Sequence, residues 1–201
     1  MRSGLIVAGG RSTRFGDADK AVADLAGTSM IRRVADRLAP VVDELVVNCR
    51  ADQRAAIETA LEGYDRRVSF ALDPEEDLGP LAGIGTGLAA VEGEYAAVVA
   101  CDMPFVDAGF VSALFDRAEG HDAAVPKPDE WYQTTQAVYH ADAMAAACQR
   151  ALDDDERRIV AALSDLDVAV VDREAVERHA SMATFENLNT RAEFDDARER
   201  F

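Results

Sequence analysis

The chain has 201 residues, 49% of them hydrophobic, with 38 Asp and Glu against 21 Lys and Arg and a formal net charge of -17. One domain with a real core is the expectation at this length, and so negative a field argues against nucleic acids or anionic membranes as partners. Only two residues are lysine, Lys20 and Lys127. This acid-rich, Lys-poor, Ala-rich composition is what a high-salt cytoplasm favours, and an ordinary acidic protein from a GC-rich genome is the other reading.

In chain order, the first predicted strand is Gly4–Ala8, which runs straight into a glycine-containing segment, Gly9 to Lys20. A helix follows over Met30–Ala39 after Thr28 and Ser29 as cap candidates, with Ile31, Val34 and Leu38 on one face and Arg32, Arg33 and Asp36 on the other. Strands Glu44–Asn48, Val68–Leu72, Ala96–Cys101 and Ala123–Pro126 then alternate with helices Asp52–Glu62, Ala82–Val91 and Ala108–Ala118. That rhythm predicts an α/β fold of three layers, a Rossmann-like, open, mostly parallel sheet with helices on both faces. After Pro126 the rhythm changes. Trp131 and Tyr132 lead into a strand near Gln136–Tyr139, followed by helix Asp142–Leu152, an acidic run Asp153–Glu156 and helix Arg157–Leu163. An edge strand is expected at Val168–Val171, and a charged terminal helix at Arg191–Phe201, anchored by Phe194 and Phe201. A single domain over 1–201 is expected, with residues from about 127 onward as a substrate-side elaboration.

Several chemistries find no support. Cys49, Cys101 and Cys148 form no C-x-x-C pair, and His121, His140 and His179 no H-E-x-x-H pattern, so neither a disulfide framework nor a zinc site is suggested. No signal-peptide pattern or membrane-length apolar run occurs, and a cytoplasmic protein is the expectation.

Three places carry candidate chemistry. After the first strand, Gly9 and Gly10 permit a sharp turn that offers backbone N–H groups to an anion, and Arg11, Arg14 and Lys20 concentrate positive charge. The segment is neither G-x-G-x-x-G nor a P-loop, since five residues separate Gly10 from Gly16 and Asp17 stands where a Lys would follow. Either these cations bridge a triphosphate, or they pair with Asp17, Asp19 and Asp24 in a solvated loop. At the end of the fourth strand, Asp102 is placed where a carboxylate meets Mg²⁺, and Asp73 holds the matching place after Val68–Leu72. Each is also an ordinary cap or turn residue, but the two together with the cationic loop fit a metal–triphosphate site. Gly79 to Gly83 reads as a tight turn before a helix, with Pro80 near its first position.

Taken together, Val7-Ala-Gly-Gly10-x3-Arg14-Phe-Gly16-x2-Asp19-Lys20, Asp73, Gly79-Pro-Leu-Ala-Gly83, Cys101-Asp102-Met-Pro104 and Asn187-Leu-Asn189-Thr190 resemble the molybdenum cofactor guanylyltransferases over about residues 4 to 195. The N-terminal run is shared across the nucleotidyltransferase superfamily, and the ordered conjunction is the specific part. Asp17 departs from the pattern, standing where a second glycine is expected. The resemblance implies a scaffold of nucleotide-diphospho-sugar transferase type, with about 1–126 as the nucleotide-binding half and about 127–201 as the acceptor-binding elaboration. It implies GMP transfer from GTP to the phosphate of molybdopterin with Mg²⁺ as cofactor; separately, the Arg191–Phe201 helix is a candidate docking surface for other cofactor-assembly proteins.

Residue by residue, it implies nucleotide contacts at Val7, Ala8, Gly9, Gly10, Lys20, Asn48, Asp73, Gly79 and Asp102. Lys20, Arg14 and Asp102 would be catalytic, with Asp102 the Mg²⁺ ligand. Arg157, Arg158 and Asn189 would serve the acceptor. Plainer readings stand beside these: Asn48 as a strand-end turn residue, Asn189 as an Asx-turn or cap, and Arg157 and Arg158 as partners of Asp153 and Asp154 on a solvated helix. Cys101 reads as a small buried apolar residue rather than a nucleophile. Trp131 and Tyr132 read as subdomain core or as a stacking surface for a pterin. Molybdopterin cytidylyltransferase, adenosylcobinamide-phosphate guanylyltransferase and a non-catalytic nucleotide-binding partner are the alternatives.

Overall fold

A computed structural model describes residues 1–10, 19–73 and 79–201. The elements follow in chain order. Strand β1 (Arg2–Val7) precedes a 3-10 turn at Lys20–Val22 and a small hairpin of β2 (Asp24–Leu25) and β3 (Thr28–Ser29). Next come α1 (Met30–Leu38), β4 (Glu44–Cys49), α2 (Arg54–Ala60), β5 (Arg67–Leu72), α3 (Pro80–Leu88), β6 (Tyr95–Ala100) and α4 (Ala108–Ala118). The remainder comprises β7 (Ala123–Lys127), β8 (Gln136–His140), α5 (Ala141–Asp153), α6 (Ile159–Leu163), β9 (Val168–Asp172), α7 (Arg173–Glu177), a 3-10 turn at Met182–Phe185 and α8 (Arg191–Arg198).

Seven strands form one sheet in the order β5-β4-β1-β6-β8-β7-β9. All neighbours pair in parallel except β8, which runs antiparallel to β6 and β7. The strand order reverses at β1, whose partners are β4 on one side and β6 on the other. Successive residues of β1 serve opposite cores: Ile6 packs with α1 and α4 side chains such as Ile31, Val34, Phe110 and Leu114. Leu5 packs with Leu81 and Ile84 of α3 and Met144 and Cys148 of α5. Each such buried aliphatic side chain contributes roughly 1.5–3 kcal/mol. Two covered faces explain why β4 is buried along its full length and why its centre, Leu45 to Val47, is an unbroken apolar run. Val138, Val171 and Phe185 join the same core as Ile6, so strands after residue 127 extend the first sheet and its packing.

Several boundaries differ from expectation for local reasons. Helix α2 begins at Arg54 because the Arg50 N–H donates to Gln53 Oε1 (3.0 Å), which folds residues 50–53 into a turn. α6 starts at Ile159, with Arg158 extended as its cap. Ser29 precedes α1 but its side chain makes no capping bond. α8 is fixed by a capping box, with Thr190 Oγ1 accepting from the Glu193 N–H (3.2 Å) and Glu193 Oε2 accepting from the Thr190 N–H (2.8 Å). Phe194 is buried, whereas Phe201 lies beyond the helix and stacks on Phe105 with centroids 5.1 Å apart.

Candidate active site

In an open α/β sheet, ligands sit beyond the carboxyl ends of the strands where the strand order reverses. Here that crevice runs along the carboxyl ends of β5, β4, β1 and β6, on both sides of β1. Val7 and Ala8 are tied to both neighbours, since the Ala8 N–H donates to the Asn48 carbonyl (2.8 Å) and the Cys101 N–H donates to the Val7 carbonyl (3.1 Å). Two side chains that sequence reasoning passed over shape the turn that follows. Arg50 Nη1 donates to the carbonyls of Gly9 and Gly10, each at 3.0 Å. Gln53 Nε2 donates to the Ala8 carbonyl (3.1 Å) and to Asp19 Oδ2 (2.8 Å). Asp19 in turn accepts from the Ala21 N–H (3.0 Å), which starts the 3-10 turn that carries Lys20. Only the polar type of Gln53 inside an otherwise ordinary helix start could have signalled this.

Lys20 is buried, and its ammonium donates to Asp102 Oδ2 at 2.8 Å and to Asn189 Oδ1 at 3.1 Å. Asp102 sits in the turn after β6, where its carbonyl accepts from the Leu188 N–H (3.0 Å), drawing the segment before α8 into the site. Its second carboxylate oxygen, Oδ1, is buried with no hydrogen-bond partner among the described residues. A buried carboxylate oxygen is costly to leave unsatisfied, so this atom suits a cation. No group of three or more His, Cys, Asp or Glu side chains converges on it among the described residues. That donor set fits Mg²⁺, which is commonly held by one or two carboxylates with phosphate and water oxygens completing its shell. Burial and the Asp102 carboxylate push the Cys101 thiol pKa up, which disfavours a thiolate nucleophile there.

Asp73 does not join Asp102. It follows β5, three strand positions from β6, so the two strands are roughly 14 Å apart. Strand order thus sets the two aspartates at different places along the carboxyl edge of the sheet, Asp73 as an expected nucleotide contact and Asp102 as the expected Mg²⁺ ligand. Asp73 pairs instead with Asn48, whose Nδ2 donates to Asp73 Oδ1 (2.7 Å) and to the Ala71 carbonyl (3.1 Å). Asn48 is fully buried and its Oδ1 has no partner among the described residues. Two glycines make room for this pair. A Cβ on Gly9 would lie 2.3 Å from Asp73 Oδ2, and one on Gly83 would lie 2.4 Å from Asn48 Oδ1. Gly79 caps α3 with φ +83°, and Pro80 occupies the first helical turn. The crevice thus has an amide–carboxylate end and a cation–carboxylate end, with the β1 turn between them.

The other expected site residues fall elsewhere. Arg14, with Arg11 and Asp17, lies outside the described residues. Arg158 is exposed and pairs with Glu156 (3.2 Å) rather than with Asp153 or Asp154. Arg157 opens the same segment ahead of α6. Trp131 is 73% exposed, so it is no part of a subdomain core, and Lys127 Nζ lies over the Tyr132 ring at 4.9 Å.

Comparison with known proteins agrees with this architecture. Residues 4–178 match the model of the MobA-like NTP transferase domain. A protein of Natronomonas pharaonis named "Probable molybdenum cofactor guanylyltransferase" is 52% identical across 99% of this chain and 98% of its own length. One of the same name from Haloferax mediterranei is 44% identical across 98% and 91%. Among solved structures, molybdopterin-guanine dinucleotide biosynthesis protein A from Archaeoglobus fulgidus superposes with a TM-score of 0.80 at 27% identity, covering 98% of this chain and 97% of that one. The 4-diphosphocytidyl-2C-methyl-D-erythritol synthase of Anaerococcus prevotii shares the fold at TM-score 0.76 and 14% identity. With the family model spanning most of the sequence and relatives aligned end to end, the chain belongs to the MobA-like NTP transferases and is a nucleotidyltransferase.

Proposed function

We propose that this chain transfers GMP from GTP to the phosphate of molybdopterin, releasing pyrophosphate and forming the guanine dinucleotide cofactor. The observation that carries the proposal is the two-ended crevice, with Asn48 and Asp73 at one end and Lys20 and Asp102 at the other. The names of the relatives and of the Archaeoglobus fulgidus structure support this choice of donor and acceptor. A phosphate oxygen of the acceptor attacks the α-phosphorus, the bond to the bridging oxygen breaks, and its electron pair leaves with pyrophosphate. The attacking phosphate is already anionic, so no base need remove a proton.

Catalysis then consists of holding two anions together and neutralising them. Val7, Ala8, Gly9 and Gly10 line the donor's path, and Asn48 and Asp73 present acceptor oxygens to the N–H edge of a base. Lys20 turns from Asp102 to the phosphates, with Arg14 as a second cation. Asp102 would hold Mg²⁺ through Oδ1, and the ion would supply charge neutralisation on the triphosphate. Gly79 positions the start of α3 beside the donor. Asn189, Arg157 and Arg158 serve the acceptor phosphate, and the charged outer face of α8 is the docking surface for other assembly proteins. The setting is a high-salt cytoplasm, supported by the composition and by a 52% identical protein from a halophile. Pyrophosphate release with molybdopterin and each nucleoside triphosphate in turn tests the reading. GTP is expected to be the productive donor, and productive CTP with silent GTP would overturn it.

A further inference from the structure

We propose that Trp131 is the platform on which the planar ring system of the acceptor stacks. The inference rests on the guanylyltransferase reading and adds a residue that recognises the acceptor. Trp131 is the single tryptophan of the chain and its side chain stands 73% exposed. Isolated exposed apolar residues are common and by themselves say little. What separates this one is the rigidity of its loop and where that loop sits.

The loop between β7 and β8 is pinned along its course. The Gln133 N–H donates to the Pro126 carbonyl (2.8 Å) and Arg173 Nε donates to the Pro128 carbonyl (3.1 Å). The Trp131 N–H donates to Asp129 Oδ1 (2.9 Å), and the buried Tyr139 hydroxyl donates to the Thr134 carbonyl (2.9 Å). An indole presented on so constrained a backbone loses little freedom on binding a flat partner. The loop also borders the reactive end of the crevice. The Ala100 N–H donates to the Thr135 carbonyl (3.0 Å), two residues before Asp102, and Thr135 Oγ1 lies 4.0 Å from Met103 Sδ. Trp131 is four residues from Thr135, so their Cα atoms are within roughly 14 Å even for a fully extended chain. That reach suits an acceptor whose phosphate is at Asp102 while its fused heterocycle extends outward. The neighbouring Tyr132 ring already carries Lys127 Nζ on its face, which leaves the indole as the open aromatic surface of this loop. The acidic neighbours Asp129 and Glu130 disfavour a polyanion there and leave an uncharged ring unopposed.

Because Trp131 is the sole tryptophan, its fluorescence reports this residue directly. Titrating the full-length protein with molybdopterin is expected to quench the emission with the same midpoint as the acceptor KM. Trp131→Ala is expected to raise the acceptor KM about 10-fold or more, from loss of ring stacking. Its kcat and its KM for GTP should stay within about 2-fold of wild type, and Trp131→Phe should restore much of the acceptor KM. An unchanged acceptor KM in Trp131→Ala, or quenching by GTP alone, overturns the inference while wild-type GMP transfer leaves the functional reading standing. Absence of GMP transfer to molybdopterin in the wild type instead overturns the functional reading, and the inference with it.

Discussion

The ammonium of Lys20 bridges Asp102 Oδ2 at 2.8 Å and Asn189 Oδ1 at 3.1 Å, joining segments 82 and 169 residues apart in sequence. This contact ties together the ends of β1, β6 and the segment before α8, and leaves Asp102 Oδ1 buried without a hydrogen-bond partner among the described residues. Both partners are largely buried, so the charges are weakly screened, and removing either one leaves the other uncompensated. Lys20→Ala and Asp102→Asn are each expected to lower turnover at least about 10²-fold, from lost stabilisation of phosphate charge. Steady-state pyrophosphate release measures this, and a wild-type rate in either variant removes that residue from the machinery.

Gly83 tests the other end. An added methyl would sit 2.4 Å from Asn48 Oδ1 and 3.2 Å from its Cγ, so the amide must move and its bond to Asp73 with it. Alanine is otherwise favourable within a helix. Gly83→Ala should therefore weaken nucleotide binding about 10-fold or more by calorimetry while the protein remains folded. Unchanged affinity would show that Asn48 is not a nucleotide contact.

How much of this was legible before the fold was known varies with the physics of each feature. The alternation of apolar strands and amphipathic helices specified a layered α/β sheet, because burial on both faces writes itself into composition. The reversed direction of β8 was not read, although its signal was present: the eight residues between Lys127 and Gln136 are too few for a crossover helix. Lys20 and Asp102 stood out because each ends a strand-linked motif. Their approach to Asn189, and the separation of Asp73 from Asp102, depend on strand order, which no local pattern carries. Arg50 and Gln53 were missed because they act on backbone carbonyls from a neighbouring turn, an arrangement that only the folded chain creates.

Far from the crevice, buried Glu44 accepts bonds from Ser3 Oγ (2.7 Å), the Glu92 N–H (2.6 Å) and Arg67 Nη2 (2.6 Å). Desolvation pushes its pKa up, but these three bonds outweigh burial and hold it below the ordinary carboxylate value. A carboxyl whose folded pKa is depressed adds stability that is complete above its unfolded pKa of about 4.3 and fades as pH falls through the folded value. Glu44→Gln should thus be destabilising at pH 7 and the gap to wild type should narrow below about pH 4. Chemical denaturation at both pH values checks this, and a gap that widens in acid would contradict it.

The C-terminus is held by an aromatic and cationic stack. Phe201 packs on Phe105, with Arg33 over the Phe201 ring at 3.8 Å and Arg200 over the Phe105 ring at 3.6 Å. Phe105 follows Asp102 closely, and α8 begins just after Asn189. Phe201→Ala is expected to cost about 1 kcal/mol. It should also speed amide exchange through α8, as hydrogen-exchange mass spectrometry would record. Unaltered exchange there would show that the stack does not secure the helix.

The most direct test of the whole account is the mass of the product. Wild-type protein incubated in high salt with Mg²⁺, molybdopterin and an equimolar mixture of GTP and CTP should yield molybdopterin bearing GMP, with one pyrophosphate released per product. A product bearing CMP, or turnover only when molybdopterin is replaced by a cobinamide or sugar phosphate, would contradict it.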